Sequence, residues 1–344
     1  MSRRRLVALG GMSRPRRIFA LGGRMTRPRR IFALGGRMAR PRRIFALGGV
    51  ACALLVASAA TTAAPSCRGA AALDPANGCR SPHTVAVAPH PFDALLEHGP
   101  PCVRLRTRTV PPGSCWFPTA SRRARTTVAL IGDSHAQSWR SAVSPLVASW
   151  RRRAVSMTVA SCPFARVPRP NATDARNADC FHRAEQITDW LRRHPAVRTV
   201  FFVNSSSYDF VPTRDQGSFE RGVAGYRAAF AALPRSVRQL VVIRDNPKMR
   251  HDTNDCVTRA LRNGRRPGPA CAVPRTEALR PDPAAAAAAS MDGPRVHLVD
   301  LSDFFCDERL CYPAIGGLLV YKDGQHLARR YGSSLWRYLR AGLR

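Results

Sequence analysis

From Thr126 onward the apolar positions alternate between two periods. Val128-Ala129-Leu130-Ile131 is a continuous apolar run stopped by Gly132, the pattern of a strand buried on both faces. Residues 136–150 then place Trp139, Val143, Leu146, Val147 and Trp150 at helical spacing. The pattern predicts a strand at Ala154–Ala160, a helix at about Phe181–Arg193 and a strand at Val197–Val203. It continues with a helix at about Phe219–Ala232, a strand at Val237–Ile243 and another at Arg295–Val299. A last helix is expected over Leu327–Leu339, because Leu327, Tyr331, Leu335 and Leu339 recur four apart. Asp245 to about Asp292 reads as a long irregular excursion, in which Ala284–Ala289 is either a short helix or a low-complexity spacer.

Strand–helix alternation over this length predicts an α/β fold, with a mostly parallel sheet sandwiched between helices. Ligands of such sheets sit outside the carboxyl ends of the strands. Ser134, Asn204 and Asp245 each follow a predicted strand end and so mark the expected crevice.

The segment before this pattern is of another kind. A thirteen-residue unit recurs as MSRPRRIFALGGR, MTRPRRIFALGGR and MARPRRIFALGGV, after a degenerate SRRRLVALGG. The unit is too short and too arginine-rich to supply a solenoid repeat with a core. Only the last copy runs on without charge. From Met38 it offers a basic start (Arg40, Arg42, Arg43), an apolar stretch from Ile44 to about Ala60, and the small-residue end Thr62-Ala63-Ala64. This is the layout of a secretory signal peptide over residues 38–64. Residues 1–37 then read either as a basic extension or as sequence upstream of the true start, which would be Met38 or Met25. A retained membrane anchor is a further option, at the short end of a span. Residues 65–120, rich in Pro, Ala and Cys, are expected to be an irregular, disulfide-tied segment ahead of a catalytic domain over 121–344.

The cysteines agree with export to a secreted or cell-envelope location. Cys52 lies in the apolar stretch, and ten remain beyond it. An even number after a signal peptide favours disulfides in an oxidising compartment. They fall into neighbouring pairs around loop-like segments, so sequential pairing is expected: Cys67–Cys79, Cys102–Cys115, Cys162–Cys180, Cys256–Cys271 and Cys306–Cys311. No Cys-x-x-Cys appears, and no metal is expected.

The formal net charge of +33 changes the picture less than its size suggests. Much of it lies in the first 64 residues, which hold no acid, and lysine occurs only at Lys248 and Lys322. The remaining arginines are scattered as pairs and triplets without interleaved aromatics, so no nucleic-acid partner is expected.

Candidate chemistry centres on Gly132-Asp133-Ser134-His135. A strand-to-helix turn lifts Ser134 out of the sheet at a helix N-terminus. A serine hydroxyl needs a neighbouring base, which is usually a histidine held by a carboxylate. The ending LLVYKDGQHLARRY offers Asp323 and His326 three apart where the final helix is expected to open, so both side chains can share one face. The Ser134 backbone N–H is the expected first oxyanion donor, and the Asn204 side-chain amide the second. Read blandly, the same residues are caps and turns. His135 is expected to direct its side chain away along the helix start, in a structural or supporting role.

The stretches VALIGDSHAQSW at Val128–Trp139 and DLSDFFCDERLCYPAIGGLLVYKDGQHLARRYGSSL at Asp300–Leu335 carry a resemblance. With the cysteine pairs and IRDNP, it covers about residues 95–344. The chain resembles the SGNH (GDSL-like) hydrolase superfamily, and in particular the extracytoplasmic SGNH domain fused to membrane acyltransferase-3 proteins. The resemblance implies a three-layer α/β/α sandwich of SGNH-hydrolase, flavodoxin-like kind. It implies Ser134 as nucleophile, His326 as base and Asp323 as its orienting carboxylate. The reaction would be O-acyl transfer or ester hydrolysis on a cell-envelope carbohydrate, with no cofactor. The partners would be a glycan acceptor and an acyl donor, the latter supplied by a membrane acyltransferase partner where transfer is the reaction. A carbohydrate-binding accessory domain without turnover is the alternative. Two stretches depart from the family pattern. Ser161-Cys162-Pro163 stands where a glycine of the second block is usual, and Val203-Asn204-Ser205-Ser206 where Gly-x-Asn-Asp is usual.

Overall fold

The computed structural model describes residues 67–97, 99–105, 110–117, 126–291 and 293–343. The amino-terminal repeats and the signal-like segment 38–64 lie outside the described residues.

A short helix α1 (Pro91–Leu96) precedes two short strands, β1 (Val103–Arg104) and β2 (Cys115–Phe117). The alternation follows as β3 (Thr126–Gly132), α2 (Ser134–Ser149), β4 (Arg153–Thr158), α3 (Asp174–Arg193), β5 (Thr199–Val203), α4 (Ser218–Ala231) and β6 (Gln239–Ile243). The stretch expected to be irregular is mostly helical. It holds α5 (Thr253–Arg262), α6 (Pro267–Ala270), the strand β7 (Val273–Pro274), α7 (Arg275–Ala278) and α8 (Pro283–Ala289). Strand β8 (Val296–Val299), three two-residue strands β9 (Leu310–Cys311), β10 (Ala314–Ile315) and β11 (Leu318–Leu319), and helices α9 (Arg329–Ser334) and α10 (Trp336–Ala341) finish the chain.

The main sheet has the order β1-β2-β4-β3-β5-β6-β8. Its five inner strands β4, β3, β5, β6 and β8 are parallel, and β2 and β1 add antiparallel strands at one edge. The segment before residue 120 therefore supplies sheet strands as well as loops. Counted along the chain, the parallel strands follow the flavodoxin-like order 2-1-3-4-5, whose crevice opens where the winding reverses. Here that point lies between the ends of β3 and β5.

Each parallel strand is buried on both sides. Val128 and Leu130 of β3 join Phe201, Val203, Val241 and Ile243 in a core beneath α2, α9 and α10. Their alternates Ala129 and Ile131 join Val200, Phe202, Leu240 and Val242 beneath α3, α4 and α8. The continuous apolar runs of the sequence have this cause. The architecture is a three-layer α/β/α sandwich around a mostly parallel sheet.

Several element limits differ from the sequence reading for physical reasons. Helix α3 starts at Asp174, because Thr173 caps it and accepts from Arg176 N–H at 3.2 Å. Its first turn is polar and carries no apolar period. Ala284–Ala289 forms a helix, with Asp282 as its cap and buried alanines packing against α4. The final helix starts only at Arg329 and is interrupted at Leu335. Upstream, Leu327 bridges back to Tyr321 and Ala328 N–H donates to Val320 O, so that backbone is committed to a loop. Tyr331, Leu335 and Leu339 still share one buried face.

Five disulfides join Cys67–Cys79, Cys102–Cys115, Cys162–Cys180, Cys256–Cys271 and Cys306–Cys311. None lies in a parallel strand: Cys115 is in β2, Cys180 in α3, Cys256 in α5 and Cys311 in β9, and their partners are in connections. Such bonds persist in oxidising compartments. Among the described residues, no helix is long and apolar enough to cross a membrane.

Candidate active site

The turn bearing Ser134 is built by its neighbours. Gly132 ends β3 at φ +138°, and a Cβ there would lie 1.8 Å from Val203 O. Only glycine lets β3 and β5 run so close at this end. Asp133 caps α2: its Oδ1 accepts from His135 N–H at 2.8 Å. Its Oδ2 accepts from Ser205 N–H at 3.0 Å and from the Tyr208 hydroxyl at 2.7 Å. This fully buried carboxylate thereby fastens the turn to the loop after β5. Ser134 is the first residue of α2 and remains half-buried, with its N–H at the unsatisfied start of the helix.

His326 reaches the same point from the carboxyl end of the chain. Its Nε2 lies 2.9 Å from Ser134 Oγ, and its Nδ1 lies 2.8 Å from Asp323 Oδ2. A carboxylate can only accept, so Nδ1 carries the proton and Nε2 is left to accept from the serine hydroxyl. Asp323 does not sit at a helix start, contrary to expectation. It sits in a tight loop, where its Oδ1 also accepts from the backbone N–H groups of Gln325 (2.9 Å) and His326 (2.7 Å). One carboxylate thus shapes the loop and orients the ring. Burial pushes the Asp323 carboxyl up, but its bonds from His326 outweigh this and hold it at about 2. Asn254 Nδ2 and Asn246 Nδ2 anchor the loop from outside, donating to Lys322 O (2.7 Å) and Gln325 O (2.8 Å).

A second histidine–carboxylate pair lies below the first. His135 Nδ1 approaches Asp245 Oδ1 to 2.6 Å, and the His135 and His326 rings are 4.9 Å apart between centroids. The His135 side chain therefore does not point away from the site but packs on the His326 ring. Burial is the largest single influence and lowers its pKa, yet the charge and hydrogen bond of Asp245, with the charges of Asp133 and Asp323, together outweigh it and raise it to about 9. Asp245 Oδ2 also accepts from Ser206 N–H (2.8 Å) and Oγ (3.0 Å). Asn246 Oδ1 accepts from Trp139 Nε1 of α2 at 3.2 Å. The Asp245-Asn246 pair after β6 thus ties the serine turn, the β5 loop and the histidine loop together. Sequence patterning marks Asp245 only as a strand end. The available signal for these roles is an Asp after each of β3 and β6.

Asn204 lies at the end of β5, where it is buried. Its Oδ1 accepts from Phe164 N–H at 3.3 Å, while Nδ2 has no hydrogen-bond partner among the described residues. A buried amide donor without an acceptor is costly and so is a candidate for completion by a ligand. Ser161, at the position where the family pattern has glycine, adopts φ +56°, the left-handed conformation that glycine favours.

Ser134, Asp323 and His326 line a cleft of about 240 Å³, whose walls include Gln137, Arg140 and Glu97. The arrangement can pass a proton from a serine hydroxyl to a carboxylate-held imidazole in an open cleft, which is the requirement for nucleophilic acyl transfer.

The family described as "SGNH domain (fused to AT3 domains)" matches residues 101–337. The chain belongs to this family. The match spans every parallel strand, the serine turn and the Asp323/His326 loop. No curated protein matches the chain. Among solved structures, it is similar to the periplasmic domain of the lipopolysaccharide acetyltransferase of Salmonella ser. Paratyphi A. That similarity has a TM-score of 0.49 at 13% identity, covering 64% of this chain and 85% of that one.

Proposed function

We propose that this SGNH-family chain is an extracytoplasmic serine-dependent O-acyltransferase or acyl esterase acting on cell-envelope carbohydrate. The observation that carries the reading is the continuous contact from Ser134 Oγ through His326 to Asp323, at 2.9 and 2.8 Å. His326 Nε2 takes the hydroxyl proton as Ser134 Oγ bonds to the carbonyl carbon of an acyl donor. The Ser134 N–H and the unpaired Asn204 Nδ2 are the donors for the developing oxyanion. The donor's C–O bond then breaks, His326 returns the proton to the leaving oxygen, and acyl-Ser134 remains. A sugar hydroxyl or water repeats the sequence and carries the acyl group away.

The family occurs fused to AT3 domains, which supports a membrane acyltransferase as the source of the acyl group. Five disulfides and the signal-like segment 38–64 support export. The test is intact mass spectrometry after incubation with a model acyl ester. One acyl adduct that disappears in Ser134→Ala is expected. Ester hydrolysis and glycan acylation unchanged by Ser134→Ala would leave only an accessory carbohydrate-binding role.

A further inference from the structure

The cleft above Ser134 carries positive charge that the protein does not neutralise. Arg140, on the second turn of α2, lines this cleft while only 8% exposed. Its guanidinium lies against Gly99, where an added Cβ would meet Nη2 at 2.7 Å. Among the described residues Nη1 reaches only Cys115 Sγ, a weak acceptor, at 3.4 Å, and Nε has no partner. None of the ion pairs among those residues includes Arg140. Every acid of the chain except Asp292 lies within the described residues. A buried cation without a counter-charge is unfavourable and is retained where a ligand completes it.

The surroundings repeat the sign. Lys322 and Arg329 line the same cleft. An adjoining groove of about 590 Å³ shares Glu97 and Arg329 with it and adds Arg68 and Arg330. The two acids of the cleft are already committed. Asp323 holds His326, and Glu97 Oε1 faces Arg330 Nε at 3.4 Å. Glu97 Oε2 is buried without a donor among the described residues, so it is an acceptor for a hydroxyl group.

We infer that the acyl acceptor is an anionic sugar, whose carboxylate or phosphate sits on Arg140 and whose hydroxyl donates to Glu97 Oε2. The inference rests on the reading of Ser134 as nucleophile, since it places the acceptor in that cleft. A guanidinium fork matches a carboxylate and a phosphate equally well, and the two are separated by experiment.

Calorimetric titration of the full-chain Ser134→Ala protein with methyl glucuronide, glucose 6-phosphate and methyl glucoside reads binding without turnover. At least one anionic sugar is expected to bind roughly ten- to hundred-fold more tightly than the neutral one, the increment of one charge-assisted contact. Which anion binds identifies the source. Arg140→Gln is expected to abolish the preference, whereas Arg227→Gln, on the far face of the sheet, keeps it. Equal affinity for all three sugars, absence of binding, or an unchanged preference in Arg140→Gln overturns the inference. Should Arg140→Gln misfold, Arg140→Lys and the charged-against-neutral comparison in the parent protein carry the test. Failure of the acyl-serine reading shows separately, as a missing acyl adduct on a protein that still discriminates the sugars.

Discussion

His135 Nδ1 donates to Asp245 Oδ1 across 2.6 Å, with both side chains almost wholly buried at 4% and 3% exposure. The pair joins the first turn of α2 to the end of β6, and the His135 ring supports that of His326. A positive ring near a helix N-terminus is opposed by the helix dipole. It is tolerated because Asp245 and Asp133 stand beside it. Removing the Asp245 charge strands the imidazolium, which in buried pairs costs about 3–5 kcal/mol. Asp245→Asn is therefore expected to lose about that much stability in urea denaturation, and a change below ~1 kcal/mol would refute the ion pair.

The same pair makes stability depend on pH in an alkaline window. His135 is raised from 6.5 to about 9, so its contribution is complete below 6.5 and is lost as pH rises through 9. One proton linked over that interval corresponds to about 1.4 kcal/mol per pH unit, or ~3 kcal/mol in all. Asp282 acts lower on the scale. Burial, then the charge of Asp245, raises it from 3.8 to about 6, so its contribution to stability falls between those values and is constant above. Denaturation midpoints measured from pH 6.5 to 9 should fall in the parent protein and stay level in Asp245→Asn. Parallel curves for the two proteins would show that His135 does not titrate there.

Asp323 separates orientation from loop shape. In Asp323→Asn the Oδ1 acceptor for Gln325 and His326 N–H can remain, while the carboxylate facing His326 Nδ1 is lost. The ring then loses the partner that selects its tautomer, a defect that slows turnover by up to roughly four orders of magnitude. Turnover in Asp323→Asn is expected to slow by roughly two to four orders of magnitude, with KM for a model ester little changed. The accompanying stability loss is expected to be no more than about 2 kcal/mol, the linkage of a partly exposed carboxyl held from 3.8 down to about 2. His326→Ala should match it, and a second loss that adds in full in the double variant would contradict a shared role.

The fold was legible because its strands are buried on both faces and its helices on one, so two periods sufficed to order them. The excursion from Asp245 to Asp292 was not, because its helices are short and α8 buries mostly alanines, which carry little periodic contrast. In the site, Ser134, Asp323 and His326 stand in recognisable turns. The supporting residues do not announce themselves. Beyond the local cap of Asp133 on His135 N–H, Asp133, His135 and Asp245 acquire their roles through contacts with positions about 40 to 110 residues away. Arg140 reads in sequence as one more arginine among many, and only its burial without a counter-ion distinguishes it.

Asn204 offers the sharpest division between a structural and a chemical role. Its Oδ1 holds Phe164 N–H at 3.3 Å, and removing that acceptor strands a buried donor, a loss of about 1–3 kcal/mol. Its Nδ2 holds nothing among the described residues, so removing it forfeits no bond of the resting protein. If Nδ2 meets the developing oxyanion, its loss raises the barrier by the amount typical of one such donor, about 3–4 kcal/mol. Asn204→Ala is accordingly expected to slow turnover by roughly two to three orders of magnitude, while the denaturation midpoint shifts by no more than the Phe164 bond accounts for. Asn204→Asp keeps the acceptor for Phe164 but turns the donor into a second acceptor, and should be at least as inactive. Near-parent turnover in both variants would reduce Asn204 to a residue of the β5 turn and leave the Ser134 N–H to be complemented by another donor.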